Sequence, residues 1–186
     1  MPTVASAYDG VPKLQFPKTS ETDNYSMKTS VEVSNWQTGL LVTLRFLIGW
    51  HLLYEGVFKF LKPEWSSLGF LENAQWIFAG VAEWIVSNPG ILAAVDLLNT
   101  WGLICIGLGL ILGLFTRLAA VAGALLVGLY YLFSPPLIGL SASAPMEGNY
   151  LIVNKNLIEA VTLLLIAASP AARLYGLDSL LARGTR

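Results

Sequence analysis

Four long, predominantly apolar stretches constrain this chain more than any other feature. They run from Trp36 to Leu61, from Ile91 to Leu114, from Leu118 to Phe133, and from Leu151 to about Pro170–Leu174. A hydrocarbon layer of about 30 Å is crossed by about 20 helical residues, at ~1.5 Å each. The first, second and fourth stretches reach that length; the third is short and reaches it with its flanks. In hydrocarbon a single segment satisfies its own backbone N–H and C=O groups only as a helix. The expected fold is all-α, a bundle of four transmembrane helices. Composition agrees where it matters: charged residues make up 12 % of the 186, half the share of about 25 % in an ordinary soluble domain.

The connections add detail. Residues 1–33 are polar, carry Pro2, Pro12 and Pro17, and show neither a helical period nor a continuous apolar run. That pattern is not a secretory signal; it reads as a flexible or partner-ordered tail ahead of a membrane domain over 34–186. In the long connection from Lys62 to Pro89, the middle, Leu71 to Val86, mixes Trp76, Ile77, Val81, Trp84 and Ile85 with Glu72, Asn73, Gln75 and Glu83. It is expected to form an amphipathic outer helix lying on the membrane surface or dipping into it. Spans two and three are joined by Phe115, Thr116 and Arg117 alone, which forces an antiparallel hairpin, and Ser134-Pro135-Pro136 stops span three. Gly109-xxx-Gly113, Ala119-xxx-Gly123 and Ala124-xxx-Gly128 allow close helix contact. The run Gly107, Gly109, Gly113 lies inside an apolar helix pattern and is no nucleotide fingerprint.

Four spans place both termini on one side. Seven of the 11 Lys and Arg residues fall there: Lys13, Lys18, Lys28, Arg117, Arg173, Arg183 and Arg186. The other side has Lys59, Lys62 and Lys155, so the positive-inside rule puts both termini in the cytoplasm and the chain in the inner, cytoplasmic membrane as a multi-pass protein. The amphipathic connection then faces outward, with membrane lipid as its first partner.

Several function classes drop out. One cysteine, Cys105, makes no internal disulfide, CxxC pair or Cys-ligated cluster, and one histidine, His51, makes no bis-His haem site. No metal site and no intrinsic cofactor are expected. A net charge of −1 offers no basic field for nucleic acid.

Ionisable residues within membrane spans are costly, which makes them functional candidates by default. Span one holds Arg45, His51, Glu55 and Lys59, the last three spaced four apart on one helix face; span four holds Lys155 and Glu159; span two begins with Asp96 and Asn99. Span one travels outward while spans two and four travel inward. Glu55, Lys59, Asp96, Lys155 and Glu159 therefore fall at similar depth, with His51 close by, and can form one polar pocket. Arg45 sits about 21 Å below Lys59 at 1.5 Å per residue, where it can instead snorkel to the inner interface. Such a pocket suits a polar head with an apolar tail. His51, Glu55 and Glu159 can relay protons, Lys59, Lys155 and Arg45 can bind oxygens or an anion, and Trp50, Tyr54 and Phe58 can line a groove. The other reading makes Glu55–Lys59 and Lys155–Glu159 helix-end ion pairs that neutralise themselves and lock the bundle.

At these residues the sequence resembles the DoxX/DoxD family. The run Leu44 to Lys59 is similar to that family's first-helix signature, Trp101-Gly102 through Leu114-Phe115-Thr116-Arg117 to its second helix and turn, and Asn149 to Glu159 to the start of its fourth helix. Leu177-Asp178-Ser179-Leu180 resembles the family's C-terminal end. The insertion from Pro63 to Asn99 resembles the DoxD-like branch, the small membrane subunit of thiosulfate:quinone oxidoreductase. The resemblance implies a four-helix membrane subunit that works with a second subunit or a larger membrane complex and takes quinone as a bound substrate. Two functions stay open at this point. One is a quinone-linked oxidoreductase subunit passing electrons to membrane quinone at an outward-facing pocket; the other is a non-enzymatic accessory or structural subunit of a larger complex.

Overall fold

The computed structural model describes residues 35–136, 152–170 and 175–179, and its elements are helices throughout. The expected tail over 1–33, most of the loop after Ser134, and Arg173, Arg183 and Arg186 lie outside the described residues. In chain order the elements are α1 (Asn35–Leu61), α2 (Leu68–Glu72), a 3-10 turn (Trp76–Phe78), α3 (Ala79–Val86), α4 (Pro89–Leu112), α5 (Thr116–Phe133) and α6 (Lys155–Ala168). Three of them, α1, α4 and α5, are long and apolar enough to cross a membrane. Helix α6 has 14 residues, about 21 Å at 1.5 Å each, so the described part of the expected fourth span is short of a full crossing.

Local chemistry sets the boundaries. Pro89 opens α4 at a position whose N–H has no intrahelical partner in any case. Gly113 closes it in the left-handed region at φ 63°, with the Leu114 N–H bonded to the Gly109 carbonyl at 2.9 Å. The turn therefore comprises Gly113 to Phe115, and α5 starts at Thr116, two residues before the expected start of span three. Asn154 caps α6 by accepting from the Leu157 N–H at 3.0 Å, and the helix stops at Ser169, just ahead of Pro170.

The connection between α1 and α4 departs from the expected continuous helix over Leu71–Val86. Helix α2 ends at Glu72, where the Asn73 side-chain amide donates back to the Gly69 carbonyl at 2.7 Å. Two residues later the Gln75 N–H donates to the Phe133 carbonyl at 3.0 Å. A bond to another helix thus replaces the next rung of this one, and the helix resumes only after the 3-10 turn.

Helix α1 lies closely along α4, and α5 along α6; α4 and α5 meet less extensively, and α1 touches α6 sparsely. The shared core includes Leu52, Leu103, Ile106, Leu110, Ala120, Val127, Leu163 and Ile166. Along α1–α4 the backbones nearly touch: a Cβ on Gly107 would lie 2.5 Å from the Leu53 nitrogen, and one on Gly56 would lie 2.8 Å from the Ile104 nitrogen. Of the spaced small residues, Gly109 approaches Ala119 while Gly128 faces open space. The outward surface is apolar, with Leu98, Leu118 and Leu125 more than 60 % exposed. Lipid is the solvent that suits such a surface.

The end of the bundle at the α4–α5 turn is clasped by residues from the far end of the sequence. Both carboxylate oxygens of Asp178 accept backbone N–H groups at the start of α5, from Phe115 at 2.8 Å and Thr116 at 2.9 Å. The Asp178 N–H in turn donates to the Gly113 carbonyl at 2.8 Å. Gly176 and Gly113 meet backbone to backbone; a Cβ on Gly176 would fall 2.7 Å from the Gly113 Cα. Arg45, 4 % exposed, lays its guanidinium against Gly113, and its charge faces that of Asp178. Phe115 is held at φ 48°, a conformation costly for an aromatic residue.

Candidate functional site

At the opposite end, four helices surround a polar cavity of about 130 Å³. Helix α1 contributes His51, Leu52, Glu55 and Lys59; α4 contributes Leu103; α5 contributes Val127 and Tyr130; α6 contributes Lys155, Asn156 and Glu159. The steps of four residues in α1 and α6 stack these side chains along one face of each helix.

The principal polar contacts run between helices. His51 Nε2 lies 3.6 Å from Glu159 Oε1, bridging α1 and α6. The Lys59 ammonium donates to Asn99 Oδ1 at 3.3 Å and also lies over the rings of Trp65 and Tyr130, at 4.9 and 5.4 Å from their centroids. Such ring faces attract a cation most strongly where water is excluded. The Tyr130 hydroxyl donates to the same Asn99 oxygen at 2.5 Å. Asn99 thus gathers two donors from two helices, and the Tyr130 oxygen keeps its lone pairs for a further partner. Two lysines and two glutamates cancel in formal charge across the cavity, which favours a neutral hydrogen-bonding ligand over a free anion.

The other expected site residues stand elsewhere. Arg45 is in the clasp at the far end. Asp96 binds the segment after α1, accepting from Ser66 Oγ at 2.8 Å, from the Ser67 N–H at 2.8 Å and from Ser67 Oγ. Trp50 and Tyr54 lie on the outer face of α1, 57 % and 61 % exposed, off the cavity wall. Tyr130 was missed from sequence. Its signal was available, since span three runs parallel to span one and a phenol near its end reaches the depth of Lys59. Trp65 carried no signal, because only the folded path of the connection brings it over that lysine.

Searches of curated proteins and of solved structures gave no match. The family model described as DoxX matches residues 40–134, from early in α1 to the residue after α5. That match covers half of the chain and includes His51, Glu55, Lys59, Asn99 and Tyr130, with α6 beyond it. With its apolar helices it establishes a multi-pass membrane protein, and the chain belongs to the DoxX family.

Proposed function

We propose that the cavity binds the head of a membrane quinone, and that the chain is a membrane subunit of a quinone-linked oxidoreductase of the thiosulfate:quinone type. It would sit in the cytoplasmic membrane with both termini inside, the cavity toward the outer side, and α6 within a fourth span. The observation that carries this reading is the convergence of proton-bearing groups on one space inside a lipid-facing bundle: the His51–Glu159 pair, Glu55, Tyr130, Lys59 and Lys155. A volume of about 130 Å³ is close to the ~150 Å³ of an engineered cavity that admits one benzene ring. Reduction of a quinone takes two electrons and two protons. Lysine donors hold the carbonyl oxygens, while Glu159, backed by His51, and Glu55 relay the protons to them. The electrons come from a partner subunit or from thiosulfate, since the cavity residues include no redox centre.

A second reading is an accessory subunit without its own reaction. It is favoured by the exposed apolar surface of the connection, where Ile77 and Trp84 are 65 % and 58 % exposed, a surface suited to docking.

The test is gentle native purification of the full chain, extraction of bound quinone, and turnover assays of Glu159→Gln and Glu55→Ala. Quinone that co-purifies with the wild type and is lost from folded variants supports the site. Wild-type turnover in Glu159→Gln removes its proton role, and a stoichiometric complex with no quinone at this subunit favours the accessory reading.

A further inference from the structure

The way the helices close around the cavity decides from which side a ligand arrives. Over the end of the cavity lies the segment after α1, with Trp65 seated on Lys59 and the edge of Phe70 against Tyr130, ring centroids 5.9 Å apart. Asp96 fastens that segment through Ser66 and Ser67, and the Gln75–Phe133 bond fastens its far side. The α1–α4 side is closed by backbone contact at Gly56 and Gly107, and α5 and α6 lie closely along each other, with Leu163 methyls 3.2 and 3.4 Å from where a Gly123 Cβ would stand, one turn deeper than Val127 and Glu159. Between α1 and α6 the described residues touch sparsely, and the polar bridge there is His51–Glu159.

The two lips of this seam are apolar. Tyr54 and Phe58 follow His51 at three and seven residues, the spacing of one helix stripe, and are 61 % and 55 % exposed. On α6, Ile158 and Leu165 follow Lys155 at three and ten residues and are 59 % and 53 % exposed. His51 itself, 36 % exposed, stands where the polar wall gives way to the lipid-facing stripe.

We propose that the cavity is loaded sideways from the bilayer through the α1–α6 seam. The polar head rests against His51 and Glu159, and the apolar tail of a membrane-soluble ligand lies along Tyr54, Phe58, Ile158 and Leu165. The ligand class is therefore a tailed amphiphile; its naming as a quinone rests on the reading above, whereas the route rests on packing alone.

The route is tested without any ligand. In a Cys105→Ala background the full chain carries a nitroxide at Glu55→Cys or, as a second site, Asn156→Cys, and is reconstituted in liposomes. Collision with oxygen, which partitions into lipid, is compared with collision with a water-soluble nickel chelate. Labels at Leu98→Cys and Glu64→Cys serve as lipid and water references. Oxygen relaxing the cavity label several-fold more than the chelate, as at Leu98→Cys, is the expected result; equal relaxation by both, or by neither, overturns the route. Binding is then measured with a ubiquinone bearing an isoprenoid tail and with the same head lacking a tail. Retention of the tailed form alone, lost in Glu159→Gln, supports both proposals. Equal retention of the tail-less head overturns lateral loading and leaves the head site standing. Retention of neither removes the quinone reading, while the nitroxide result still decides the route.

Discussion

Replacing Gly107 by alanine tests whether α1 and α4 are held by backbone contact. The added Cβ would lie 2.5 Å from the Leu53 nitrogen and 2.7 Å from the Gly49 carbonyl oxygen, where ordinary contact needs 3.4–4 Å. Both neighbours are backbone atoms, so no side-chain rotation relieves the overlap and the helices must part by roughly 1 Å. Overpacking of this kind costs about 1–3 kcal/mol, and the parting also loosens the contacts of Gly49 with Leu110 and of Gly56 with Ile104 on the same face. Alanine returns about 1 kcal/mol in helix propensity, which leaves a net loss of about 2 kcal/mol at the upper end of the overpacking range. At ~2–4 °C per kcal/mol for a chain of this size, the melting temperature falls by about 4–8 °C. Gly102 supplies the internal control, because a Cβ there meets nothing within 4 Å. Its replacement by alanine should be neutral or raise the melting temperature by a few degrees. The assay is thermal loss of helical circular dichroism in one mild detergent for all three proteins. Gly107→Ala melting at or above the wild type, or Gly102→Ala melting as low as Gly107→Ala, would refute the reasoning.

Other tests follow from the clasp and from the segment over the cavity. Asp178→Ala removes two acceptors at the start of α5 and the charge facing Arg45; a loss of about 3–5 kcal/mol is expected. Adding Arg45→Met should recover part of it, and a double variant no more stable than Asp178→Ala counts against the pairing. Asp96→Ala should speed amide hydrogen exchange over residues 66–72 while α4 stays protected; unchanged exchange there would show that Asp96 fastens nothing.

Long apolar runs are legible because lipid imposes their length and composition residue by residue, and α1, α4 and α5 begin and end within two residues of expectation. The hairpin was legible for the same reason, since two spans joined by three residues have one way to turn. Depth along antiparallel spans was also readable from the sequence: it groups Glu55, Lys59, Asp96, Lys155 and Glu159 with His51 close by, and all of these but Asp96 line one cavity. Rotation about each helix axis was harder to read. Trp50 and Tyr54 share that depth yet face outward, because α1 turns its Gly49–Gly56 face toward α4 and leaves them on the lipid side. Those glycines stand seven residues apart, outside the spacing of four that marks the other small-residue pairs. The depth of Arg45, far from Lys59, is legible, but its setting is not, because its neighbours, Gly113, Gly176 and Asp178, come from far along the chain. The break after Glu72 likewise depends on the Phe133 carbonyl, which local periodicity does not report.

The clasp also sets an order of events in the making of the protein. Arg45 and Asp178 are separated by 133 positions, and at ~5–20 residues per second a ribosome needs roughly 7–27 s to travel that distance. Throughout that interval the first helix carries an arginine in the membrane before the aspartate that faces it has been made. Chains that end short of Gly176 would lack both the close approach to Gly113 and the Asp178 carboxylate. The setting of the first helix is thus completed only when residues more than 130 positions later have been made.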